Sequence, residues 1–193
     1  RNRNYPSMKS EKEKMLSGEP FEPWETELDR DRAYLLPRLH RLNTEFAARP
    51  LHEAEELLAE ILPNCPRGTR IRPPFYCDYG YNISCGGGVF LNFNCTILDV
   101  GRVRIGSHVL IGPNVQIYAV THPMDADTRR LGQEWGEAVT IGDDCWIGGG
   151  AVICPASPSF YSRPGTIEEL CGTVADRTVA LLGVDIPRYE WGK

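Results

Sequence analysis

A chain of 193 residues, 41% of them hydrophobic and 24% charged, is long enough for one substantial core plus a small second module. Its net charge of −5 argues against nucleic acid as a partner, since such binding shows as a basic patch. Seven cysteines are an odd number, and no Cys-x-x-Cys pair occurs, which reads as reduced thiols in a cytoplasmic protein.

Residues 1–10 read as a disordered tail, and residues 11–65 as a helical module. Ser10 to Glu13 has the Ser-x-x-Glu form of a capping box, so a helix is predicted to start there and stop near Gly18. A turn through Pro20, Phe21, Pro23 and Trp24 follows. Leu28, Leu35, Leu36, Leu39, Leu42 and Phe46 then mark one helical face, with Pro37 predicted to kink or split the helix. Residues 51–62 read as a second amphipathic helix with Leu57, Leu58, Ile61 and Leu62 inward, ended by Pro63. The uncharged run 79–98 has the length of a membrane span. Its four glycines and three asparagines mark it instead as β-structure, so no membrane partner is expected.

Residues 66–155 are organised by a period of six. Ile105, Ile111 and Ile117, then Ile141, Ile147 and Ile153, recur at that step, each preceded by a smaller apolar residue two positions earlier. A half-buried strand repeats every two residues and a helix every 3.6, so the period points to a parallel β-helix of hexapeptides. Three hexapeptides, about 18 residues, would complete one coil of a triangular prism. The isoleucines fill its interior, so a ligand must bind outside, against an emerging loop or a neighbouring subunit. One loop emerges, over residues 118–138, and carries His122, Glu134 and Trp135. Asn92 and Asn94 are candidates for capping turns, and at least one is expected to do only that. Past Pro155 the period fails. Residues 156–193 read as a divergent tail, with a Thr166–Glu169 capping box starting a helix that covers the open end, or as an altered reading frame.

Five motifs, Glu13 to Glu19, Asp78 to Ile83, Asn92 to Asp99, Thr121-His122-Pro123 and Val139 to Gly149, resemble the maltose and galactoside O-acetyltransferase family. The resemblance implies a left-handed parallel β-helix with an N-terminal helical module, assembled as a homotrimer with active sites between subunits. It also implies transfer of acetyl from acetyl-CoA, the co-substrate, to a sugar hydroxyl. On it, His122 is the general base, Asn92 an oxyanion donor, Asp78 an acceptor ligand, and Gly149 a point where the CoA arm passes the backbone. Asp99 and Glu134 are weaker candidates for touching the acceptor or orienting His122, and Trp135 for stacking on the sugar or anchoring the loop. Asn92 as a turn cap and Asp78 as a solvated turn residue remain alternatives. A zinc site of the kind some β-helices hold needs three histidines, and only His108 and His122 fall in the prism, so no metal is expected. The family's later coils, which hold CoA, have no counterpart in residues 156–193. A sugar-binding or scaffolding trimer without catalysis is therefore the rival reading.

Overall fold

The structure is a computed structural model and describes residues 9–154 and Thr166. The expectations for the first eight residues and for the capping tail lie outside the described residues. Helix α1, Glu11–Ser17, begins with both arms of the capping box formed, Ser10 Oγ accepting from the Glu13 N–H and the Glu13 carboxylate from that of Ser10, and ends on Gly18 at φ 75°. Helix α2, Thr26–Thr44, runs through Pro37 unbroken. Leu35 before the proline and Leu39 and Leu42 after it are all buried, so packing on both sides holds the two halves in one line. Leu36 was expected inward and instead points to solvent, one position off the apolar stripe. Residues 51–62 fold as a 3-10 turn, Leu51–Ala54, leading into helix α3, Glu55–Ile61, with Leu57, Leu58, Ile61 and Leu62 buried as expected.

Strands follow in strict rotation over three parallel sheets. The first face is β1 (Arg70–Ile71), β4 (Phe90–Leu91), β7 (Leu110–Ile111) and β12 (Trp146–Ile147). The second is β2 (Phe75–Cys77), β5 (Cys95–Leu98), β8 (Gln116–Tyr118) and β13 (Val152–Ile153). The third is β3 (Ile83–Cys85), β6 (Val103–Ile105) and β11 (Val139–Ile141). Residues in register point their apolar side chains to one interior: Ile71, Leu91 and Ile111 stack on the first face, and Ile97 under Ile117 on the second, all nearly sealed from solvent. Cys145, Ile147, Ala151 and Ile153 pack on that core but are only partly buried.

The coil is longer than the period of six implies. Ile71 pairs with Leu91 and Leu91 with Ile111, so one turn takes 20 residues rather than 18. The two extra residues sit at a single corner. From the third face to the first, and from the first to the second, the step is six; from the second to the third, Ile97 to Ile105, it is eight. The six-residue corners turn through a left-handed residue: Gly88, His108 and Asp144 at one, Asn94, Asn114 and Gly150 at the other. Asn, Asp and His tolerate that conformation best after glycine, which explains His108 as a corner residue. Asn94 takes the left-handed turn position, φ 58°, and its Nδ2 donates to Asn114 Oδ1 at 2.8 Å, so Asn94 serves the corner and its ladder. The wide corner recurs at residues 78–82, 99–102 and 119–138, and at the third pass it opens into the long loop. No helix among the described residues is long and apolar enough to cross a membrane.

Candidate active site at the wide corner

The emerging segment is a hairpin rather than an irregular loop. Strand β9, Val120–Thr121, pairs antiparallel with β10, Trp135–Gly136, with Thr121 opposite Trp135, and the short helix α4, Ala126–Arg129, fills the connection. Its base sits on a glycine contact: a Cβ on Gly136 would come within 2.5 Å of the Gly101 backbone, and one on Gly101 within 2.7 Å of two carbonyl oxygens. Extending the hairpin register by one position sets His122 opposite Glu134. The two side chains meet there, His122 Nε2 standing 3.6 Å from Glu134 Oε2, close enough for an ion pair though long for a hydrogen bond. Glu134 is pinned from its other side by an antiparallel bridge to Phe21, whose N–H donates to the Glu134 carbonyl at 3.0 Å and whose ring is fully buried. Burial raises the Glu134 carboxyl, and His122 opposes that rise. His122 itself remains half exposed.

Beneath the hairpin, the wide corner of the second coil is built on Asp99. This side chain, a weaker candidate for touching the acceptor or orienting His122, has no exposed surface. Its Oδ1 accepts from the N–H groups of Asp78 and Tyr79, both at 2.9 Å, and its Oδ2 from that of Asn82 at 3.3 Å, while Asn82 Nδ2 returns a bond to the Asp99 carbonyl at 2.8 Å. The eight-residue corner turns its backbone away from neighbouring strands, and one carboxylate satisfies three of the donors that this leaves. Asp99 therefore shapes the ledge carrying Asp78 and is walled off from any sugar. Asp78 is half-buried above it. Arg32, from α2, faces Asp78, with Nη1 donating to Tyr79 Oη at 2.7 Å and Nη2 to Asp29 Oδ1 at 2.6 Å. Arg32 and Tyr79 escaped sequence reading: an arginine on the polar face of a helix looks like any solvated charge. Trp135 is half-buried, its Nε1 3.4 Å from Glu137 Oε1, which ties it to the hairpin base.

His122, Glu134, Asp78 and Trp135 thus gather at the wide corner, whereas Asn92 and Gly149 lie at the corner between the first and second faces, across the whole second face from it. Asn92 Oδ1 accepts the Phe93 N–H at 2.9 Å, which leaves its amide hydrogens directed elsewhere. Gly149 is exposed and lies against Pro113, where a Cβ would come within 3.1 Å of the ring. Among the described residues no group of three or more His, Cys, Asp or Glu is placed to hold a metal ion.

Burial pushes both Asp78 and Asp99 up to about 6; Arg32 opposes it at Asp78, and the donated N–H groups oppose it at Asp99, which Asp78 repels in turn. The folded protein therefore keeps protons that the unfolded chain sheds near the ordinary value of 3.8. Stability falls as pH rises from about 4 to 6, and the penalty is fully present above that. The melting temperature is expected to be higher at pH 5 than at pH 7.5 by calorimetry, and Asp78→Asn should flatten part of that slope. An unchanged or reversed slope would contradict the assignment.

Comparison with known proteins places this arrangement. Residues 14–66 match a family model described as the maltose acetyltransferase hexapeptide capping motif. Nodulation protein L of Rhizobium meliloti (strain 1021) is 45% identical over 150 residues, which cover 76% of this chain and 80% of that protein. The crystal structure of a maltose O-acetyltransferase from Clostridium difficile 630 superposes with a TM-score of 0.73 at 38% identity, covering 76% of this chain and 78% of that one. A galactoside acetyltransferase solved in complex with coenzyme A superposes with a TM-score of 0.71 at 30% identity, covering 77% and 74%. With both the helical module and the coils matched, the chain belongs to the maltose and galactoside O-acetyltransferase family of hexapeptide-repeat proteins.

Proposed function

We propose that the protein is an acetyl-CoA-dependent O-acetyltransferase that acts on a sugar hydroxyl of the maltoside or galactoside kind, with His122 as general base. The observation that carries this reading is the His122–Glu134 pair, fixed at one register position of the hairpin, with Glu134 within electrostatic reach of Asp78. A sugar hydroxyl is a poor nucleophile at neutral pH, and an imidazole is suited to take its proton. As that proton moves to His122, the hydroxyl oxygen attacks the thioester carbonyl. The carbon–sulfur bond then breaks, and the thiolate leaves with the proton. No covalent enzyme intermediate is needed. Glu134 favours the imidazolium formed on the way and holds the ring in place. Asp78, backed by Arg32, accepts from acceptor hydroxyls, Trp135 offers a ring face to the sugar, and Asn92 can donate to the oxyanion. Gly149 leaves room for the CoA arm.

Two groups of site residues on different corners support a site between copies of a cyclic homotrimer of left-handed coils. The outward ladder Phe90, Leu110 and Trp146 on the first face supports the same assembly, because Trp146 stands 80% exposed in the single chain. We place this enzyme in the cytoplasm, where acetyl-CoA is available. The rival, a sugar-binding trimer without transfer, draws on the absence of the family's CoA-binding motif from residues 156–193.

The test incubates the full chain with acetyl-CoA and a panel of maltose, galactosides and glucosides, following release of the CoA thiol and the acetyl ester by mass. Ester on one class of sugar supports the proposal. Acetyl-CoA binding without transfer to any acceptor overturns the sugar assignment, and no binding at all favours the scaffold. Glu134→Gln keeps the backbone bridge to Phe21, so it is expected to lower kcat about 30-fold, part of the 10²–10⁴ that a positioned base supplies. KM for acetyl-CoA and the melting temperature should hold.

A further inference from the structure

We propose that Cys65 and Cys85 form a reversible dithiol/disulfide pair that fastens the end of the helical module to the first coil. The proposal goes beyond acetyl transfer and does not depend on it. Cys65 lies in the turn after α3, where Asn64 makes a parallel bridge to Ser84 at the free edge of β3. One position further along this pairing, Cys65 comes opposite Cys85. Opposed residues of a parallel pair send their side chains to the same side, with Cα atoms about 4.8 Å apart, inside the roughly 4.4–6.8 Å that a disulfide spans. Both cysteines are free and both pack on the core. The Cys85 thiol acts directly on that of Cys65, and Cys65 Sγ points at the Ile83 carbonyl, 3.9 Å away, on the same strand as Cys85.

Cys65 borders a shallow depression with Leu58, Pro66 and Arg67, roomy enough only for a water molecule. Both cysteines are partly exposed, and oxidised glutathione, a small disulfide, reaches the sulfur when the turn after α3 opens locally. One protein thiolate attacks it, forming a mixed disulfide and expelling one glutathione thiolate; the second protein thiolate then attacks the protein sulfur and expels the other. The protein loses two electrons and two protons, and the glutathione disulfide becomes two thiols. The closed loop contains Asp78 and Tyr79, so oxidation tethers the ledge of the wide corner at both ends. The interaction with Cys85 and burial both push the Cys65 thiol up, which keeps exchange slow in the absence of excess oxidant.

The full chain, purified reduced, is equilibrated with reduced and oxidised glutathione in graded ratios, alkylated, digested and mapped by mass spectrometry. The expected product is one cross-linked peptide joining Cys65 to Cys85, two hydrogens lighter and reversed by dithiothreitol. Urea unfolding of that product should show an unfolding constant lower by about two orders of magnitude, the effect of closing a loop of this length. Cys85→Ser should instead accumulate glutathione on Cys65. Free, alkylatable thiols at both positions across all ratios in the folded wild-type protein would overturn the proposal, as would a different cysteine pairing. The wild-type mapping decides the matter even if a variant does not fold.

Discussion

Replacing His122 with alanine is expected to lower kcat for acetyl transfer about a thousandfold, within the 10²–10⁴ that a positioned general base supplies. KM for acetyl-CoA should stay within a few-fold, because the imidazole is assigned to the proton of the acceptor and not to the donor. The structural cost should be small: the side chain is half exposed, and among the described residues its polar partner is Glu134 at 3.6 Å. The contrast between lost turnover and kept melting temperature is the diagnostic. A variant that retains more than a tenth of the wild-type rate at saturating sugar would remove His122 from the mechanism and leave the hairpin as a lid or wall.

Replacing Asp99 with alanine is expected to act in the opposite way, through stability first. Three buried N–H groups, those of Asp78, Tyr79 and Asn82, lose their acceptor together. At about 1–3 kcal/mol for each unsatisfied donor, and with relief from no longer burying a carboxyl, the net loss should be about 3–5 kcal/mol by urea unfolding. That is a large part of the 5–15 kcal/mol holding a typical domain together. Asp99→Asn separates the two contributions. It removes the buried charge and keeps one carbonyl oxygen, enough for the bifurcated pair from Asp78 and Tyr79, so it should cost less than half as much. If both substitutions cost under 1 kcal/mol, the ledge is held by the glycine contacts and not by the carboxylate. Because the ledge carries Asp78, Asp99→Asn should also raise KM for the sugar acceptor while leaving KM for acetyl-CoA alone.

The hydrophobic ladder was legible because a parallel β-helix writes its interior into the sequence at a fixed step, and the residues read as inward from Ile71 through Ile117 are buried. The capping box of α1 was legible for a similar reason, since Ser10 and Glu13 serve each other locally. The 20-residue coil was not. Ile105 to Ile117 and Ile141 to Ile153 cross only the two six-residue corners, so the period was sampled where the eight-residue corner never enters. Pro37 misled because a proline's lost hydrogen bond is local, while the packing of Leu35, Leu39 and Leu42 that keeps α2 whole is tertiary. Asp99 stands in the sequence only as a weaker candidate for touching the acceptor or orienting His122, because a charged residue next to an apolar run gives no sign whether its partners are water or backbone. Only the fold reveals three N–H groups converging on it. The pairing of Cys65 with Cys85 was equally hidden, since neither shares a motif with the other and only the Asn64–Ser84 bridge aligns them.

Asn43 closes a second of the three strand edges at the N-terminal end of the prism. Its Oδ1 accepts the Phe75 N–H at 2.8 Å and its Nδ2 donates to the Phe75 carbonyl at 2.9 Å, so one amide stands in for the strand that β2 lacks. In a stack where each layer contacts only its neighbours, growth needs a finished layer to build on. Here that first template is made from the helical module, which leaves the ribosome before any strand does. Each later coil then meets an ordered edge on emergence, at the 5–20 residues per second of synthesis. Asn43→Ala would leave the folded coil with one frayed edge, but its larger effect would be on the yield of chains that begin stacking in the right place.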